Sequence, residues 1–167
     1  MPMADSPIQI LLGRMLKEKH LSLSVAESCT GGNISRLITS VPGASEYYLG
    51  GVTSYANSVK ENVLGVPEPV IARYGAVSSE CVAEMADGVR RLTGSDVSVA
   101  TSGIAGPGGG TIEKPVGLVW IGVSSPRGTR TLTYQGCTER ERNVVLFSHA
   151  ALEALLEEVT ALPGKNA

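Results

Sequence analysis

Aromatic side chains are scarce in this 167-residue sequence, at 4%, and the formal charge is only −2. A protein that grips nucleic acid without regard to sequence needs a basic surface, and one that holds single strands stacks their bases on aromatic rings. This composition offers neither, which argues against a nucleic-acid partner. Cysteine is limited to Cys29, Cys81 and Cys137, odd in number, far apart and without a C-x-x-C pair. Neither a zinc site nor a disulfide framework is suggested, and a reducing cytoplasm is the expected setting. No apolar run approaches the ~18 residues that would span a membrane. Met1 to Asp5 lacks the positive start of a secretion signal. No membrane partner is expected either.

Glycine, by contrast, is plentiful at 20 residues, and hydrophobic residues make up 43%. The length suits one domain, residues 1–167, with a real core. Hydrophobic periodicity sets out its elements. Ile8, Leu11, Leu12 and Met15 form the stripe of a helix over 6–19, with Ser6 as cap, Pro7 as first helical residue and Lys17 to Lys19 at the exposed end. Leu21, Leu23 and Val25 alternate with Ser22 and Ser24 in a first strand, and Ile34, Leu37 and Ile38 return to helical spacing. A second strand is expected near 50–56. Short helices follow around Val59 and after Pro67, then a longer one from Ser78 to Gly94 and a buried strand over 97–101. Strands over 116–124 and 129–134 flank a Pro126-Arg127-Gly128 turn, as an antiparallel hairpin does. A last helix over 139–159 stops at Leu162-Pro163-Gly164. The pattern predicts an α/β fold, a three-layer α/β/α sandwich with a mixed, mostly parallel sheet of about five strands.

Val25 to Gly32 leads from strand to helix through small polar residues and two glycines. Glycine lets backbone and ligand approach closely, and free N–H groups at a helix start favour a phosphate or carboxylate. Ser28 stands on this turn with a hydroxyl available; the plainer reading is that Ser28 and Thr30 cap the helix. A serine nucleophile needs a base. Histidine is the commonest, but His20 closes the first helix and His149 shares a row with Leu146 and Leu152, at an expected helix interface. A lysine serves when its surroundings lower its pKa. Lys60 leaves the second strand, and parallel neighbours would bring it to the edge that holds Ser28. Followed by Glu61, it reads equally as a solvated helix residue.

The segment Ser102 to Gly110, S-G-I-A-G-P-G-G-G, follows a third strand to the same edge. Its backbone suits an anion, or simply a flexible turn. Gly103 and Gly108 have P-loop spacing, but Gly109-Gly110 stands where Lys-Ser/Thr is required. Arg140 starts the last helix, within reach of a phosphate or merely solvated.

Three blocks together resemble the signature of the CinA C-terminal domain family. They are A-E-S-C-T-G-G over 26–32, T-S-Y-A-N-S-V-K over 53–60 and S-G-I-A-G-P-G-G-G-T-I-E-K-P-V-G over 102–117, with G-A-V-S over 75–78 between them. The resemblance covers nearly the whole chain. It implies an α/β/α fold, often in a homo-oligomer, and a small-molecule nucleotide substrate. The implied reaction hydrolyses nicotinamide mononucleotide to nicotinic acid mononucleotide and ammonia, with no metal and no cofactor. By matching position, Ser28 is the implied nucleophile, Lys60 its base and Tyr55 the third member of a Ser-Lys-Tyr arrangement. Thr30, Gly31 and Gly32 are expected to bind substrate, the Cys29–Gly32 turn supplying N–H groups to the oxyanion. Ser102, Gly103, Gly106, Gly108, Gly109 and Arg140 are expected to complete the substrate site.

Members read G-D-R before the last helix, where this sequence has Thr138-Glu139-Arg140 and so keeps the arginine. Cys29 is a rival nucleophile, since a thiolate at a helix N-terminus is activated. Strand alternation places it opposite Ser28, where it is expected to pack inward. Longer members carry an additional N-terminal domain, so this chain is expected to resemble the stand-alone form. Two other functions remain open: a non-catalytic nucleotide-binding module, and a serine amidase for an amide without phosphate.

Overall fold

The computed structural model describes residues 6–165; Met1 to Asp5, read above for a secretion signal, lie outside them. Five strands, β1 (Leu23–Glu27), β2 (Tyr48–Thr53), β3 (Val97–Gly103), β4 (Leu118–Ser125) and β5 (Gly128–Gln135), form one sheet in the order β2-β1-β3-β4-β5. β2 and β3 lie parallel to β1 on either side, β4 runs antiparallel to β3, and β5 antiparallel to β4. Four of the five strands therefore point the same way and β4 alone opposes them. The sheet is mixed and mostly parallel, as the pattern predicts. The β4–β5 hairpin closes tightly, with Ser125 opposite Gly128.

The helices are α1 (Ile8–Lys19), α2 (Asn33–Thr39), α3 (Asn57–Asn62), α4 (Glu68–Tyr74), α5 (Ser79–Thr93) and α6 (Arg140–Ala161). On one face, α1, α2 and α6 bury Leu12, Leu16, Ile34, Ile38, Phe147 and Leu152 against Leu23, Val25, Val97 and Val99. On the other, α5 lays Val82, Met85, Ala86 and Val89 over Ala26 and Ala100, joined by Leu64 and Val66 from the end of α3. Each Val, Leu, Ile, Phe or Met among them contributes about 1.5–3 kcal/mol on burial. Backbone meets backbone here: a Cβ on Gly88 would collide with the Leu64 carbonyl oxygen. Among the described residues no helix is long and apolar enough to cross a membrane.

Several local expectations shift. β1 begins at Leu23 and is buried along its whole length, so the alternation with serine does not mark a solvent face. Ser24 instead makes a 2.7 Å hydroxyl contact with Ser95. Pro7, not Ser6, holds the cap position of α1, and no side chain bonds there. Ser78 does cap α5, accepting from the Cys81 N–H at 3.1 Å. β2 ends at Thr53 because Ser54 to Ala56 turn into α3.

Lys19, assigned by pattern to an exposed helix end, clasps the last turn of α6. Its ammonium donates to the carbonyls of Val159, Thr160 and Leu162 at 2.8, 2.9 and 2.6 Å, a favourable place for a cation. The Lys165 N–H donates to the Lys19 carbonyl at 2.9 Å, and its ammonium pairs with Asp96 at 2.8 Å.

Candidate active site

β1, β2 and β3 are parallel and end at one edge, where ligands of open α/β sheets bind. A cleft of about 290 Å3 lies there. Nine of the twelve residues named from the sequence line it: Ser28, Lys60 and Tyr55, with Ser102, Gly103, Gly106, Gly108, Gly109 and Arg140. Thr30, Gly31 and Gly32 are not among its lining residues.

Ser28 follows β1 directly, and Lys60 sits on α3, which starts four residues beyond β2. Pairing of Glu27 with Thr53 in register brings those two exits together. The Lys60 ammonium nitrogen lies 3.0 Å from Ser28 Oγ, and it donates to the Ser54 and Tyr55 carbonyls at 2.6 and 3.3 Å. The side chain is buried, 1% exposed. Burial pushes its pKa below the ordinary 10.5, only partly opposed by the thiols of Cys81 and Cys29. A neutral amine has two N–H bonds and one lone pair. With both N–H groups on the two carbonyls, the lone pair is left for the Ser28 hydroxyl proton. The three contacts thus suit the neutral form as well as the charged one.

The turn after Ser28 is built differently from the expectation that it offers α2's first N–H groups to a ligand. The buried Glu27 carboxylate takes them, accepting from Ile34 N at 2.9 Å and Ser35 N at 3.1 Å. Thr30 is buried too. Its hydroxyl donates to Glu27 at 2.7 Å and so accepts from the Thr101 hydroxyl at 2.9 Å. Gly32, at φ +99, holds the cap position of α2, so neither Ser28 nor Thr30 caps that helix. Gly31 N donates to the Ser28 carbonyl at 3.0 Å. Among the described residues, the N–H groups of Cys29, Thr30 and Gly32 have no hydrogen-bond partner.

Cys29 packs into the core and touches the cleft floor. Burial raises its thiol pKa to about 12, so near neutrality it is a thiol and a poor nucleophile. Cys81, fully buried on α5, is raised to about 11 by the same cause. The histidines do not line the cleft. His149 is exposed on α6 rather than packed at a helix interface.

Tyr55 reaches the cleft, but its hydroxyl is engaged by Arg140. It accepts from Arg140 Nη2 at 2.8 Å, and among the described residues it bonds to neither Ser28 nor Lys60. Arg140 also donates through Nη1 to the Gly106 carbonyl at 2.8 Å. The guanidinium therefore bridges the α3 approach and the glycine-rich loop, keeping three further N–H groups for a ligand. Ser102 is buried at the end of β3, and among the described residues its hydroxyl has no hydrogen-bond partner.

Sequence reasoning passed over several contributors. Ala76, Val77 and Ile104 give the cleft an apolar wall; the G-A-V-S block points to the first two and the S-G-I-A-G-P segment to Ile104. Asn143, fully buried in α6, donates to the Ala105 and Cys137 carbonyls at 2.8 and 2.9 Å and accepts from Cys137 N at 2.8 Å. It pins the glycine-rich loop to the segment that leads into Arg140. Among the described residues no group of His, Cys, Asp and Glu could hold a metal ion.

Comparison with known proteins matches residues 5–159 to the family described as the CinA C-terminal domain. A CinA-like protein of Desulfosudis oleivorans is 51% identical over 156 residues, 91% of this chain and 37% of that protein. A CinA-like protein of a Thermotoga species is 52% identical over 119 residues, 71% of this chain and 29% of that one. The chain thus spans only about a third of the length of these relatives. Among solved structures, a CinA superfamily protein of Klebsiella pneumoniae superposes with a TM-score of 0.88 at 32% identity, covering 94% of this chain and all of that one. A competence/damage inducible protein of Agrobacterium tumefaciens gives 0.82 at 34%, covering 94% of this chain and 98% of that one.

Proposed function

This chain belongs to the CinA C-terminal domain family, and on that premise we propose that it is a serine amidohydrolase that deamidates nicotinamide mononucleotide. The observation that carries the reading is the 3.0 Å contact between Ser28 Oγ and a buried lysine nitrogen whose other two contacts are both carbonyl acceptors. A surface lysine on a solvated helix has no such arrangement.

Lys60, neutral, takes the proton of Ser28 as Oγ attacks the carboxamide carbon. The oxyanion is met by the unpartnered N–H of Cys29, the residue of that turn that lines the cleft, and by the Ser102 hydroxyl, each donor typically worth ~3 kcal/mol. The tetrahedral intermediate collapses as Lys60 returns the proton to the departing nitrogen, and ammonia leaves. Water, deprotonated by Lys60, then attacks the acyl-enzyme ester. Ser28 regains its proton and the acid is released. The apolar wall of Ala76, Val77 and Ile104 suits a flat heteroaromatic ring. The phosphate belongs at the other end, with Arg140 and the N–H groups of Gly108 and Gly109. In this reading Tyr55 orients Arg140, and it joins the proton transfers only if its hydroxyl leaves Arg140.

The test is ammonia release from nicotinamide mononucleotide by wild type, Ser28→Ala and Cys29→Ala. Release by wild type and Cys29→Ala but not by Ser28→Ala is expected. Release lost only in Cys29→Ala overturns the nucleophile. No release by any of the three, with saturable binding of the nucleotide, makes the protein a binding module.

A further inference from the structure

Glu27 is a buried anion with no ion-pair partner among the described residues. Burying a carboxylate is costly unless hydrogen bonds compensate, and four do. Its oxygens accept from Thr30 Oγ1 at 2.7 Å, Ile34 N at 2.9 Å, Ser35 N at 3.1 Å and Ser35 Oγ at 2.8 Å. Starting a seven-residue helix does not require this, since a serine or asparagine cap does so without a buried charge.

The carboxylate instead closes a ring through residues 27, 30, 34 and 35, and Ser28 lies inside it. Both strands beside β1 are tied in. Thr101 of β3 donates to Thr30 at 2.9 Å, and Tyr48 of β2 donates to Ser35 Oγ at 2.8 Å. The backbone of Glu27 completes the arrangement along the β1–β2 edge. Its carbonyl accepts from Ser54 N at 2.7 Å and Ser54 Oγ at 3.1 Å, while the Ser54 carbonyl receives Lys60 at 2.6 Å. One residue therefore anchors the serine's turn through its side chain and the lysine's support through its carbonyl.

We infer that Glu27 is a positioning residue whose carboxylate fixes the Ser28 turn and, with it, the Ser28–Lys60 contact. The inference rests on the roles proposed for Ser28 and Lys60. Glu27→Gln tests it with little change in volume. One carboxylate oxygen becomes an NH2 group facing donors, the Ser35 N–H and hydroxyl or the Ile34 N–H and Thr30 hydroxyl, so the ring opens on one side. A misplacement near 1 Å costs on the order of 100-fold in rate.

Two readouts are taken on the intact protein: kcat and KM for nicotinamide mononucleotide, and the Lys60 titration midpoint by NMR of its ε-nitrogen. Expected are a kcat loss of at least ~10-fold with KM within ~2-fold. The Lys60 midpoint should also rise toward 10.5 as the opened turn admits water. A midpoint and a kcat both equal to wild type overturn the inference. If wild type releases no ammonia, the amidase reading fails by itself and the midpoint alone decides for Glu27, a rise supporting it and no change overturning it. Should Glu27→Gln not fold, Ser35→Ala, which removes one of the four donors, is judged by the same readouts and the same criteria.

Discussion

Replacing Lys60 by Met separates the catalytic claim from the structural one. Methionine fills nearly the same volume without the nitrogen, so the variant loses the base and keeps the packing. Loss of a general base removes about 100- to 10,000-fold in rate. For stability, two carbonyls lose a hydrogen-bond donor, at about 0.5–1.5 kcal/mol each. Against this, the variant escapes the cost of burying an ammonium, several kcal/mol for a fully desolvated ion.

The pH dependence isolates the second effect. Because burial lowers the Lys60 pKa below 10.5, wild type carries the full cost at any pH where Lys60 is charged in both folded and unfolded chains. Between the folded pKa and 10.5 the unfolded chain holds more protons, so wild-type stability gains there as pH rises. Above 10.5 the cost is gone. The variant lacks this gain, so its stability relative to wild type is greatest below the folded pKa of Lys60 and shrinks as pH rises through the window. The thiols of Cys29 and Cys81, held at about 12 and about 11 in wild type with Lys60 beside them, lower stability above pH 9.0 in both proteins, which is why the difference is followed below pH 9.0. The assays are kcat/KM by ammonia release and thermal melts across pH, where 1 kcal/mol moves Tm by about 2–4 °C. A variant with kcat/KM within about tenfold of wild type refutes Lys60 as the base. A stability difference that does not change with pH refutes the buried ammonium.

Three further outcomes follow from the same geometry. Cys29→Ala should keep amidase activity, and iodoacetamide should label Cys29 slowly at pH 7 because its thiol ionises only near about 12. Arg140→Ala should raise KM for the mononucleotide by roughly 10- to 150-fold, the worth of a charge-assisted hydrogen bond of about 1.5–3 kcal/mol; an equal effect on the corresponding riboside would remove the phosphate from its role. Gly106→Ala should lower stability by about 1–3 kcal/mol in a denaturant titration, because Gly106 sits at φ +89 with Val116 Cγ1 2.5 Å from a built Cβ.

Much of the framework was legible because periodicity reports burial. The α5 stripe of Val82, Met85, Ala86 and Val89 and the β4–β5 hairpin each follow from local pattern and turn chemistry. The alternation of serine with leucine and valine in β1 does not report exposure, because a strand with neighbours on both edges and helices on both faces buries its serines as readily as its valines. The Ser28–Lys60 pair came from three blocks taken together, since neither residue alone outweighs its plainer reading. Glu27 went unremarked because a carboxylate beside a polar turn normally faces water; its role depends on Ile34, Ser35 and Thr101 being brought around it by the fold. Tyr55 shows the converse. The block identifies the residue, but its rotamer depends on Arg140, 85 positions along the chain.

The clasp of Lys19 on the end of α6, with Lys165 held beside it at Asp96, has a practical bearing on handling the protein. Lys165 is anchored where β1 and β3 begin, and the cleft lies where they end, about 17 Å away along a five-residue strand. A surface tether or fluorescent label attached at Lys165 would leave the mouth of the cleft facing bulk solvent. Immobilised protein should therefore take up small ligands at the same rate as protein free in solution.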